Sequence, residues 1–448
     1  MRVLVVHGLR FDSRLTTFQH TLSFARHLSG CEVTYVNGLG LIDNAINGPE
    51  YDLAVVTYEL VALRSVPFWK DIAERISPLL RRARVKVVMP QDDYSSCAVL
   101  DKFCVENGVN FVFSPLTRDL EMLYPRSIAA GVEFHEAYTG YWESSTAVSY
   151  RSLSKPFRER TIDLGQRVRH LPPQFGPAAQ RKGELALRFA DVAREKGFKC
   201  DVSTKDADVL VGTDWWRFLG DIRFTVGRLG GASIADPYGR LASRVNRLQL
   251  RRPSITYETL ANRLRTDELP QGDFTAISPR LFECAAMGVC QILERAHYFD
   301  EFEPWRDYIP LDPGLGNLDE VFQAMKDNDR CEEIVRNAHE TLIASERHTY
   351  KRFVTNLIKT TLGAEIVPDE GAPRVIDADE LLFGSIEPST VEQVKAVARR
   401  GVIASFAAGK SADAGAVDCW IDSFRKGKII VESMTLPWSP ASRFLEET

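Results

Sequence analysis

Arg280 and Glu283, three residues apart, are the pair in this sequence best suited to chemistry. They lie in Ser278-Pro279-Arg280-Leu281-Phe282-Glu283-Cys284-Ala285-Ala286-Met287-Gly288-Val289-Cys290-Gln291-Ile292-Leu293. Ile277, Leu281 and Ala285 recur there at helical spacing, Gly288 fits a left-handed helix end, and Val289 to Leu293 reads as a buried strand. The spacing puts both side chains on one edge of the helix. A guanidinium holds a phosphate by a fork of hydrogen bonds, and a carboxylate one turn on accepts from both hydroxyls of a ribose. The pair suits a sugar nucleotide. A capped surface helix with an ordinary ion pair is the competing reading.

Other candidates fall into three groups. Gly176 to Gly183, read as a loop between a strand and a helix, offers backbone amides together with Arg181 and Lys182 to a diphosphate; a basic loop without a ligand reads the same way. Gly227, Gly230 and Gly231 allow close backbone approach to a ligand, with Ser233 and Asp236 placed to bond a hydroxylated donor; a tight turn capped by Asp236 is the alternative. His7 and Asp92 each follow a strand, where an imidazole or carboxylate would take the acceptor's proton as a general base. Adjacent Asp92 and Asp93 point different ways in an extended loop, so they form no acid/base dyad. Asp92 is the better candidate, and its alternative role is to cap the next helix. His135, alone in a strand, reads as structural. No metal-ligand spacing is present, and the reading is of a metal-independent reaction without a cofactor, in which amides and cations stabilise the diphosphate.

The Arg280 segment resembles the donor-binding signature of bacterial GT-B glycosyltransferases, the group 1 and spore-maturation (CgeB-like) type. In these, a serine or glycine and a helix bearing Phe-Glu-Ala precede a small residue, a glycine and a strand. The resemblance assigns Ser278, Arg280 and Glu283 to the donor. It continues through Tyr308 to Asp312, the helix with Leu318, Val321 and Met325, Ile334 to Ala338, and His348-Thr349-Tyr350. Gly176 to Gly183 is similar to the glycine-lysine loop that opens the second domain of these enzymes. Arg223 to Gly239 is similar to an "LGxxxGASxxD" element, with a shorter glycine spacing, and Trp215 to Leu219 resembles a "dWxxFL" helix, taken as core. Thr275 stands where many relatives carry a glutamate.

The resemblance implies the α/β class and the GT-B architecture, two Rossmann-like domains facing a central cleft, with a C-terminal extension. It implies transfer of a sugar from a nucleotide-sugar donor to a glycan or other hydroxyl acceptor, in bacterial surface polysaccharide or glycoconjugate biosynthesis. A nucleotide-sugar epimerase of the same fold and a non-catalytic glycan-binding or scaffold protein are the other readings.

The elements that must position these residues alternate as such a fold requires. Arg2 to Val6, Glu32 to Val36, Leu53 to Thr57, Val85 to Met89 and Asn110 to Phe113 read as strands, interleaved with amphipathic helices. No Gly-x-Gly-x-x-Gly follows the first strand, which argues against a dinucleotide-dependent oxidoreductase. Polar, aperiodic sequence from Thr139 to Lys155 marks a junction. The division expected is an acceptor-side domain over 1–150, a donor domain over 160–345, a helix over 346–362 crossing back, and an extension of unknown role over 375–448. A second set of strands is expected at Arg160 to Leu164, Phe198 to Val202, Val209 to Gly212 and Phe224 to Val226, with a helix from Lys182 to Lys196.

With 448 residues, 44% apolar and 26% charged, the chain is long enough for both domains. Its net charge of -5 gives no global basic field, so nucleic acid is not an expected partner. Eight cysteines without a Cys-x-x-Cys pair read as reduced core thiols, and the short apolar start reads as a first strand rather than a signal. A cytoplasmic protein follows, with peripheral association at the inner membrane face a secondary reading of Arg81-Arg82-Ala83-Arg84-Val85-Lys86, whose first reading is a solvated helix end.

Overall fold

The computed structural model describes residues 1–366 except 10–14, 29, 41, 43–46, 67, 144–149, 170, 211 and 253–254. The extension expected at 375–448 and part of the expected junction lie outside the described residues. The chain divides into two compact units. One comprises Met1–Ala137, Asp236–Asn246 and the chain from Val354; the other comprises Tyr138–Ala235 and Arg247–Phe353. Each has its own parallel sheet, so the expected α/β class with two Rossmann-like halves is present.

In the first unit, strands β1 (Arg2–His7), β2 (Glu32–Asn37), β3 (Tyr51–Val56), β4 (Ala83–Val88), β5 (Phe111–Ser114) and β6 (Glu133–Glu136) lie in the order β2-β1-β3-β4-β5-β6, all parallel. Val3 to Val6 and Leu53 to Val56 are wholly buried, as strands covered on both faces must be. Helices Leu15–His27, Trp69–Leu80 and Cys97–Glu106 supply cover. The strand order reverses at β1, and the Gln91–Tyr94 loop follows β4 at the same carboxyl edge.

In the second unit, β7 (Ile162–Arg167), β8 (Cys200–Ser203), β9 (Ile222–Gly227), β12 (Cys290–Glu294) and β13 (Ile309–Leu311) lie in the order β13-β12-β9-β7-β8, again parallel. From β7 the chain steps to β8 on one side and then to β9 on the other, which makes the β7/β9 boundary the switch point. Phe189 and Ala190 of helix Gly176–Glu195 pack with Phe224, Ile292 and Val321. Leu281, Phe282 and Cys284 of helix Arg280–Ala286 pack with Trp216, Phe218 and Phe299. A separate antiparallel ribbon joins β10 (Gly230–Ile234) to β11 (Gln271–Ala276).

Two local expectations are corrected. Gly176 to Gly183 is no loop: the helix begins at Gly176, with Pro177 in its first turn where a missing N–H costs nothing. Val209 and Leu210 join no strand, and Gly212 turns directly into helix Thr213–Asp221. That apolar run is too short, and the six-residue β9 takes the place beside β7. The seven described cysteines are free thiols, and no described helix is long and apolar enough to cross a membrane.

Candidate functional site

The Arg280 helix is held at both ends by its own chain. Ser278 accepts at its carbonyl from Leu281 N (3.0 Å), and Gln291 of β12 donates its amide to Leu281 O (3.1 Å). At the far end Gly288 adopts φ +66°, and Val289 N returns to Cys284 O at 2.9 Å, closing the glycine-terminated helix end that the sequence predicts. Arg280 and Glu283, both partly buried, therefore project from a fixed turn beside β12.

Their partners come from the strands and helix around the β7/β9 switch. Arg280 Nη1 donates to Gln166 Oε1 of β7 at 2.6 Å, and the Gln166 amide donates in turn to Val226 O of β9. The guanidinium also stacks over the Trp215 ring, 5.1 Å from its centroid, while Trp215 Nε1 donates to Glu283 Oε2 at 2.9 Å. One indole thus packs against the cation and orients the carboxylate.

Two further cations share this edge. Arg228, immediately after β9, pairs with Glu294 at the end of β12 at 3.2 Å, both side chains largely buried. Lys182 reaches in from the second turn of its helix, its Nζ 3.4 Å from where a Cβ on Gly230 would stand. Desolvation, then the Arg280 and Arg228 guanidiniums, draw the Lys182 ammonium down to about 7. Among the described residues Lys182 makes no hydrogen bond or ion pair. Arg228 is paired with the Glu294 carboxylate, and three cations on one sheet edge favour an anion carrying more than one charge.

The remaining sequence candidates fall elsewhere. Arg181 lies on the exposed side of its helix, a residue away from Lys182 and therefore about 100° around the axis. Ser233 is committed to structure: its hydroxyl accepts from Ala178 N at 3.2 Å, steadying the start of the Gly176–Glu195 helix. Asp236 belongs to the first unit, where its carboxylate accepts from Ala242 N at 3.0 Å and its backbone pairs with Tyr94 and Ser96; it is the cap that the alternative reading described. The glycines of this region let the chain pack closely on itself. A Cβ on Gly231, at φ +128°, would stand 2.1 Å from Phe274 O, and one on Gly176, at φ +75°, 2.5 Å from Ser233 Oγ.

In the first unit, Asp92 is exposed, sits at φ +53° and accepts from the Tyr94 hydroxyl. Buried Arg64 fixes this loop by donating to Ser95 O (2.7 Å), Gln91 O (3.3 Å) and Asp92 O (2.7 Å). Asp93 turns inward to Ser114 and Tyr124, and its carboxyl is raised by desolvation. His7 is fully buried, its Nδ1 accepting from Leu9 N at 3.2 Å, and desolvation lowers its pKa to about 3. His135 packs on Phe113. Sequence reasoning missed Gln166, Trp215, Arg228 and Arg64 as site or loop-holding residues. The available signal was position: Gln166 and Arg228 end adjacent strands, and in the Trp215-Trp216 doublet only Trp216 is fully buried.

Residues 237–359 match a family model described as "Glycosyl transferase-like". No protein of curated function matches the chain. Among solved structures, Anabaena HepE in complex with UDP aligns over 80% of this chain and 99% of its own at 11% identity, with a TM-score of 0.42. TarM aligns over 68% and 54% at 10% identity and a TM-score of 0.36. The apo form of WaaB, a lipopolysaccharide outer core galactosyltransferase, aligns over 80% and 98% at 11% identity and a TM-score of 0.34. The Arg280–Glu283 helix and β12 therefore lie inside the segment that is similar to glycosyl transferase-like proteins.

Proposed function

We propose that this chain is a cytoplasmic glycosyltransferase that binds a nucleotide sugar at the carboxyl edge of its second sheet and passes the sugar to a glycan or other hydroxyl acceptor, in the synthesis of bacterial surface polysaccharide or glycoconjugates. The observation that carries this reading is the grouping of Lys182, Arg228 and Arg280 with the Trp215-oriented carboxylate of Glu283. Lys182 and Arg280 meet the diphosphate, whose negative charge grows as the sugar departs, and Glu283 accepts from the ribose hydroxyls. The charge is met by side chains, so the reaction runs without a metal. Ser278 stands at the entry to the Arg280 helix, beside the donor. Asp92 takes the acceptor proton, because an exposed carboxylate is available to substrate whereas His7 is buried and a weak base.

Incubating the protein with a panel of nucleotide sugars, without acceptor, tests the reaction class. Slow release of free sugar agrees with a transferase; an isomerised nucleotide sugar would make the protein an epimerase instead. With acceptor present, Asp92→Asn is expected to lower transfer by roughly a hundredfold or more while nucleotide binding is kept. Full rate in that variant would move the proton to another acceptor, such as the leaving phosphate.

A further inference from the structure

Helix Arg240–Arg251 carries a charge pattern that the donor site does not use. Arg240, Arg244, Arg247 and Arg251 are all exposed and, at about 100° per residue, fall within an arc of roughly 60°. Arg252 follows directly after the helix. From Pro237 to Tyr257 there is no Asp or Glu, in a chain whose net charge is -5. Among the described residues none of the five guanidiniums makes a hydrogen bond or ion pair, and Arg240 lies over the Tyr238 ring at 5.3 Å. The buried Leu241 and Val245 lie on another side of the same helix.

Like charges at three- and four-residue spacing weaken a helix. The stripe therefore adds nothing to folding, and its charge is left for something outside the chain. Two apolar side chains accompany it: Tyr238, 59% exposed just before the helix, and Leu250, 84% exposed near its end. Leu250 borders the arginine row, about 60° from Arg247. A row of cations edged by exposed apolar groups matches a lipid surface, where phosphate headgroups meet acyl chains. Nucleic acid fits less well, because no aromatic side chains alternate with the arginines to stack on bases.

We propose that the Arg240–Arg251 helix is a docking face for an anionic phospholipid surface, with the arginines on headgroup phosphates and Leu250 inserted beside them. The proposal is independent of the sugar-transfer reading. Vesicle flotation of the full chain tests it, comparing phosphatidylcholine alone with phosphatidylcholine containing about a third phosphatidylglycerol. Wild type should float with the anionic vesicles only and release as salt is raised. Arg244→Gln/Arg247→Gln/Arg251→Gln, which keeps good helix formers, should lower partitioning at least about tenfold with an unchanged thermal melt. Leu250→Ser should weaken binding without changing its salt dependence. Wild type that stays with neither vesicle, or a triple variant that binds as wild type does, overturns the proposal. So does single-stranded DNA that displaces the protein from vesicles at equal charge concentration, which would make the face a nucleic-acid surface.

Discussion

Trp215 links Arg280 and Glu283, the two halves of the proposed donor contact, and its hydrogen bond to Glu283 can be removed on its own. Trp215→Phe keeps an aromatic face under Arg280 but leaves Glu283 without its indole donor. A bond to a charged group contributes about 1.5–3 kcal/mol, so nucleoside diphosphate affinity should fall at least about tenfold. Affinity for inorganic pyrophosphate, which lacks the ribose, should change little. Equal losses for both ligands would instead mean that the whole pocket had shifted. Lys182 supplies a second residue-scale test. Its pKa of about 7 in the unliganded protein means that half of it is neutral at that pH, and a bound diphosphate favours the charged form. Binding should therefore be strongest below pH 7 and weaken as pH rises above it, with one proton taken up per ligand near pH 8. Calorimetry in two buffers of different ionisation enthalpy reads that uptake, and Lys182→Met should abolish it.

At the scale of elements, the strands and the Arg280 helix were legible because their sequence signals are local. Val3 to Val6 and Leu53 to Val56 are apolar runs of strand length, Ile222, Phe224 and Val226 alternate with Arg223 and Thr225, and Gly288 marks a helix end by the conformation it alone adopts cheaply. The start of the second domain was less legible. Gly176, Pro177 and Gly183 suggest a loop, yet the helix tolerates all three: Pro177 in its first turn, Gly176 where Ser233 leaves no room for a Cβ, and Gly183 in the buried face. The ribbon glycines have a packing role that the sequence did not show. Their freedom is used to bring β10 against β11, which no single segment reveals. Gly231→Ala should accordingly destabilise the second unit by about 2 kcal/mol or more, from a positive φ and a clash with Phe274 O. A denaturant midpoint unchanged by this substitution would show that the ribbon relaxes freely.

Over the whole molecule, the long-range partners were what sequence could not show. Arg280 was legible, but Gln166 lies 114 residues before it and Trp215 lies 68 before Glu283. The chain brings them together only through the strand order around β7 and β9. Buried histidines set a second property of the whole. His7 and His20 are both held near a pKa of about 3 by desolvation, against 6.5 in an open chain. Because the folded pKa is lowered, this contribution to stability is complete above about pH 6.5 and is lost as pH falls towards 3. Between pH 7 and 4.5 each ring should cost about 2–3 kcal/mol. Urea unfolding at the two pH values should show it, and His7→Gln should flatten the difference; a wild-type midpoint independent of pH would contradict it. The central claim is that the second unit holds a nucleoside diphosphate between its cations and Glu283. Isothermal titration of the full chain with UDP, GDP and CDP tests this most directly. Saturable binding of at least one of them, lost in both Arg280→Ala and Glu283→Ala while the melting curves stay as wild type, is the predicted result. No binding of any of the three to wild type, or wild-type affinity in both variants, would contradict it.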